Sequence, residues 1–159
     1  MNYSEQRNTI IRKYVTGIYH LNHIIHDPSA DFKHREQVNK ICNELIEKNL
    51  EFLCRPIIES RIITCLKCEE VREFGKHEFA NYQYIKRHPC FNYSHKSEFL
   101  KLEEFTNIPD IKTFIKQPFK PVIIEVINSE TKEHAENKNY PSEFKVVSLG
   151  VDEKIEGLL

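Results

Sequence analysis

Six consecutive residues place the tightest demand on how this 159-residue chain can fold: Val122-Ile123-Ile124-Glu125-Val126-Ile127. Successive side chains of a strand point to opposite faces, so a run that is β-branched at every position but Glu125 is apolar on both sides and must be covered on both. A buried strand is predicted here, inside a layered core. The first fifty residues supply helices that can cover it. Ile10, Ile11, Tyr14, Val15, Ile18 and Ile25 recur at helical intervals and predict a helix over 4–26, with Gly17 as its weak point. Asp27-Pro28-Ser29 breaks that pattern, because the residue before a proline is pushed out of helical space and Ser29 suits an N-cap. A second helix is predicted over 30–49, burying Phe32, Val38, Ile41, Cys42, Leu45 and Ile46, so the two form a helical hairpin with a short connection.

Short apolar runs at 50–53 and 57–64, the second rich in β-branched residues, are separated by Arg55-Pro56 and read as a strand hairpin. Residues 65–91 are polar and read as an irregular module. A helix is predicted over 94–105, with Phe99, Leu102 and Phe105 facing inward. A strand follows at 108–115, with Pro118 and Pro121 bracketing the turn into 122–127. Residues 129–139 are charged and helix-compatible, and a last strand spans 144–149. The fold class is α+β.

The 23 Lys and Arg against 24 Asp and Glu leave a formal charge of −1, which removes the global attraction that a strongly basic protein has for nucleic acid. A polyanion must then be held by a local patch. Residues 84–121 carry seven Lys and Arg (Lys86, Arg87, Lys96, Lys101, Lys112, Lys116, Lys120) against four acids, beside Tyr82, Tyr84, Phe91 and Tyr93. That combination suits a strand bound by charge and stacking, or simply a solvated face. Residues 130–156 reverse the balance, with seven acids against four lysines. No apolar stretch approaches the roughly 20 residues a membrane helix needs. Met1-Asn2-Tyr3-Ser4-Glu5 also lacks the basic-then-apolar order of a secretory signal. The expectation is an intracellular protein, cytoplasmic or in the nucleoid or nucleus, with no membrane partner. Five cysteines are an odd number, and in a reducing compartment metal binding explains a close pair better than a disulfide does.

Cys65-Leu66-Lys67-Cys68 is such a pair, two thiolates from one tight turn that reach the same tetrahedral ion. His77, His88, Cys90 and His95 follow closely. The preferred set for a structural Zn²⁺ is Cys65, Cys68, His77 and Cys90, with His88 as the substitute, because Pro89 ties His88 and Cys90 to nearly the same place. The competing reading is two unrelated thiols near ordinary histidines. Cys42 and Cys54 read as core thiols, and His20, His23 and His26, spaced by three, as surface or core histidines.

Glu98, Asp110 and Glu125 form a second constellation. A carboxylate in the middle of an apolar strand is costly unless it is paired, hydrogen-bonded or bound to a cation. If the strands around Asp110 and Glu125 form a hairpin, the two acids converge into a hard oxygen site for Mg²⁺ or Mn²⁺. Pairing of Glu125 with a lysine such as Lys112 is the alternative.

The order Cys65-x2-Cys68, His77-Glu78-Phe79-Ala80, Ser97-Glu98-Phe99-Leu100-Lys101, Pro109-Asp110 and Ile124-Glu125-Val126-Ile127-Asn128-Ser129 resembles the competence protein CoiA-like family. The resemblance is at the level of motifs, over about 65–151. It implies a small zinc knuckle joined to a PD-(D/E)XK, restriction-endonuclease-like mixed sheet flanked by helices. It leaves the N-terminal helices unexplained; together with them the chain divides into a helical hairpin at 1–50, strands and zinc knuckle at 51–91, and a nuclease-like core at 92–159. It assigns the divalent metal to Asp110 and Glu125 and an assisting role to Glu98. The chain departs from the pattern where Ile127 stands in place of the usual Lys or Gln, a role left to Asn128, Lys132 or Lys138. It departs again at Asn81, the counterpart of the second knuckle histidine. The implied function is a Mg²⁺- or Mn²⁺-dependent nuclease, or a descendant that binds nucleic acid, DNA rather than RNA, without cutting. The other class is a zinc-stabilised protein- or nucleic-acid-interaction module with no chemistry.

Overall fold

The 122–127 run does form a strand covered on both faces, and the rest of the architecture follows from that requirement. In a computed structural model of the chain, residues 2–17, 32–90, 99–116, 119–128 and 132–155 are described. The elements run α1 (Tyr3–Tyr14), β1 (Val15–Thr16), α2 (Phe32–Glu47), β2 (Phe52–Cys54), β3 (Ile57–Cys65), β4 (Val71–Gly75), α3 (Ala80–Arg87), β5 (Leu100–Asn107), β6 (Ile111–Lys116), β7 (Phe119–Ile127), α4 (Lys132–Glu136) and β8 (Lys145–Gly150). The protein is α+β, with two four-stranded sheets among the described residues.

The core sheet has the order β2-β6-β7-β8. β6 and β7 form an antiparallel hairpin in which Ile111 pairs with Ile124, and β2 continues the antiparallel pattern on β6. β8 lies parallel to β7, which requires a crossover, supplied by α4 and the segment after it. Alternation along β7 divides the core in two. Val122, Ile124 and Val126 meet Val38, Ile41, Cys42 and Leu45 of α2. Ile123 and Phe114 meet Ile10 and Tyr14 of α1 on the other side. α1 and α2 are therefore covers for opposite faces of one sheet, which corrects the expected helical hairpin. A strand apolar on both sides needs both helices and separates them.

The second sheet is built on β3, which pairs with β5 along one edge and with β1 and β4 end to end along the other, all antiparallel. Several sequence expectations are corrected here. β2 and β3 do not form a hairpin; Arg55, in the left-handed region at φ 48°, turns the chain from one sheet into the other. The first helix stops at Tyr14, because Val15 and Thr16 take partners at Ile58 and Ile57 and Gly17 follows at φ 102°. Residues 100–107 are strand β5 and not helix: the long open edge of β3 offers backbone partners from Ile58 to Cys65, and Leu102 ends up exposed. The module at 65–91 contains β4 and α3. Gly75 lies where β4 crosses α1 so closely that an added Cβ would stand 1.5 Å from the Lys13 carbonyl oxygen. No helix among the described residues is long and apolar enough to cross a membrane.

Candidate metal centre and acidic cluster

Cys65 ends β3 and Cys68 lies in the turn to β4, where Glu69 takes a left-handed φ of 64°. The turn is closed by Glu69 N–H donating to the Cys65 carbonyl at 2.8 Å and Cys65 N–H donating to the Glu70 carbonyl at 2.9 Å. His88 and Cys90 arrive from the C-terminal end of α3. The donor atoms of Cys65, Cys68, His88 and Cys90 all lie within 4.8 Å of one another, so these four could hold a metal ion. A tetrahedral zinc with Zn–S bonds of about 2.3 Å separates its sulfurs by about 3.8 Å, so the group closes on an ion with movements of an ångström or less. All five cysteines are free thiols, as a metal site requires.

The local electrostatics suit thiolate ligands. Burial raises the Cys65 thiol, but hydrogen bonds from the backbone of Cys68 and Lys67 and from the thiols of Cys68 and Cys90 outweigh it, and the net direction is down. The Cys90 thiol is pushed up to about 11 by burial and by the neighbouring Cys68 and Cys65, so these thiols share protons unequally. His88 Nδ1 accepts from Cys90 N–H at 3.1 Å, leaving Nε2 between Cys68 Sγ at 3.4 Å and Glu70 Oε2 at 3.0 Å.

His77, the preferred third ligand from sequence, is outside the cluster. Its ring is 74% exposed and its Nε2 lies 3.2 Å from Glu59. The reason is strand geometry: β4 leaves the Cys65–Cys68 turn at about 3.3 Å per residue and delivers His77 more than about 10 Å away. α3 then returns the chain, so the histidine that joins the cluster is His88, the substitute. Cys42 and Cys54 are core thiols 3.8 Å apart and take no part in the cluster. His20, His23, His26, His95 and Glu98 lie outside the described residues.

The acids form a second group at the start of β6 and the centre of β7. Asp110 precedes Ile111, whose partner is Ile124, so Asp110 stands across from Glu125. Asp110 Oδ2 accepts from Val126 N–H at 2.8 Å, and Oδ1 lies 3.1 Å from His34 Nε2 on α2. Glu125 is 3% exposed. It accepts from the Tyr140 hydroxyl and from Lys138 Nζ at 3.2 Å, and Lys138 also donates to the Ile108 carbonyl at 2.7 Å. Burial first, and then the Asp110 charge, raise the Glu125 carboxyl above its ordinary range against the opposing pull of Lys138 and Tyr140. Lys138 is among the three substitutes for Ile127 named from sequence. His34 and Tyr140 carry no local sequence signal, because chain crossings alone bring them to the acids. Lys112, offered from sequence as a partner for Glu125, instead sits over the Phe114 ring at 3.9 Å, fully buried, and cannot serve a surface patch.

Compared with known proteins, the chain matches no family model, no curated protein and no solved structure.

Proposed function

We propose that the protein is a nucleic-acid-processing phosphodiester hydrolase of the restriction-endonuclease-like type, with a structural zinc at Cys65, Cys68, His88 and Cys90 and a Mg²⁺ or Mn²⁺ site at Asp110 and Glu125. The observation that carries the reading is Lys138 Nζ at 3.2 Å from Glu125, beside Asp110. It places a cation where the resemblance expects one and where Ile127 has none. A divalent ion on the two carboxylates would activate water and offset charge building up on a scissile phosphate. Lys138, held between Glu125 and the Ile108 carbonyl, adds a fixed positive charge at the same place. Tyr140 and His34 orient the two carboxylates through hydrogen bonds. DNA is favoured over RNA as the substrate, by the resemblance alone.

The second reading is a zinc-stabilised interaction module, and the burial of Glu125 under Lys138 and Tyr140 favours it. In that case the lysine and hydroxyl satisfy the carboxylate in place of an ion. A nuclease assay decides between them, using zinc-loaded protein, single- and double-stranded DNA and RNA, and added Mg²⁺ or Mn²⁺ or EDTA. The hydrolase reading expects ion-dependent cleavage that falls on the order of 10²-fold or more in Glu125→Gln, Asp110→Asn and Lys138→Met, with folding retained. Absence of cleavage from protein carrying its zinc leaves the interaction module.

A further inference from the structure

α3 presents an unusual outer face. Phe79 and Tyr82, one turn apart, are 73% and 48% exposed. Their rings lie 6.0 Å apart, and Lys86 Nζ sits 4.4 Å from the centre of the Tyr82 ring. From Phe79 to Cys90 the chain has two cations, Lys86 and Arg87, and no acid. Beside the helix a surface pocket of about 330 Å³ is lined by Glu70, Gln83, Tyr84, Arg87, His88 and Pro89. Tyr84 contributes its ring to the pocket wall beside the Gln83 side chain. The one acid in the wall, Glu70, is already paired with Arg72 at 2.8 Å.

We propose that α3 and this pocket bind an unpaired nucleic-acid strand. Bases stack on Phe79 and Tyr82, phosphates meet Lys86 and Arg87, and one base enters the pocket between the Gln83 amide and the Tyr84 ring. Exposed rings interleaved with cations match a strand whose bases are free to stack, whereas a duplex hides those faces. The pocket has room for a base and its sugar. α3 ends directly in the metal ligands His88 and Cys90, so the metal centre that closes the knuckle also holds this helix in place. The ligand class rests on the hydrolase reading, but the surface is independent of the acidic cluster and is tested separately.

The test is fluorescence anisotropy of labelled oligo-dT, oligo-rU and a DNA duplex of equal length, titrated with the full zinc-loaded chain carrying Asp110→Asn to prevent cleavage. The expected result is a preference for single strands. Phe79→Ala with Tyr82→Ala weakens binding about tenfold or more. Lys86→Gln with Arg87→Gln lowers the slope of log K on log salt by about 1.4. The exposed residues changed here leave zinc content and circular dichroism unaltered, and Lys145→Gln on β8 serves as the control. Equal or tighter duplex binding, a loss under twofold in the aromatic variant, or an equal loss in the Lys145→Gln control overturns the proposal. Strand binding through α3 without cleavage by the parent chain would sink the hydrolase reading and leave this surface standing. Cleavage that ignores the α3 substitutions would do the reverse.

Discussion

The two sheets differ in how much apolar surface they bury. In the core sheet, Ile111, Val122, Ile123, Ile124 and Val126 are almost fully buried between α1 and α2, and the hydrophobic effect alone accounts for their order. At the far end of the β3 sheet little is buried. Leu66, Val71 and Leu102 are each more than half exposed, and Ile63 and Cys65 are the buried hydrophobics of that end among the described residues. Cys65, Cys68, His88 and Cys90, which could hold a metal ion, sit at that thinly covered strand end, where a bound ion would act as a crosslink. The protein thus joins a half that folds by burial to a half with little apolar cover of its own.

The largest expected effect tests that division directly. His88→Ala should drop zinc from about one per chain to nearly none and remove amide-exchange protection from β4 and α3 while β6 to β8 stay protected; a structural zinc is worth on the order of 10 kcal/mol to the segment it closes. His77→Ala should leave both readings at the wild-type level. If protection across β6 to β8 collapses together with β4, the two halves are one cooperative unit and the comparison fails.

The joint between the halves gives the next effect. A methyl group at Gly75 would overlap the Lys13 carbonyl, so Gly75→Ala should force β4 off α1 and cost about 1–3 kcal/mol or more in urea denaturation. An unchanged midpoint would mean that α1 does not hold the two sheets together.

A smaller effect concerns a flaw in the better-packed half. Lys112 Nζ is buried without a hydrogen-bond partner among the described residues, and burial, helped by the Arg7 charge, lowers its pKa to about 7. Free lysine titrates near 10.5, so between these values the unfolded chain binds the proton more tightly and stability rises with pH. Lys112→Met should be more stable than wild type near pH 7, with the gap narrowing by at most about 1.4 kcal/mol per pH unit on the way up. A gap independent of pH would show that the amine keeps its proton in the fold.

Residues with strong local demands were legible before any coordinates. The double-faced β7, α2 from Phe32 to Glu47, the Cys65–Cys68 pair and the core placement of Cys42 and Cys54 are all in the structure, although Phe32 and Ile46, expected on the buried side of α2, are exposed. Each follows from a property carried within a few residues: periodicity, spacing or apolarity. The misreadings have a common cause. β5 read as helix because Phe99, Leu102 and Phe105 are spaced for one, and only the unfilled edge of β3 makes that segment a strand. Val15 and Thr16 left the first helix for the same reason.

By itself the sequence determined that the chain must be layered, that a thiol pair could seed a metal centre and that Glu125 needs a partner. Tertiary structure alone decided which partners arrive. His88 replaced His77 because β4 carries the chain away from the knuckle and α3 brings it back. Lys138, Tyr140 and His34 reached the acids because a parallel β8 forces a crossover past β7 and because α2 covers the face beside Asp110. Spacing along a chain sets what neighbouring residues can share, but long-range contacts are set by how strands pair and which faces must be covered.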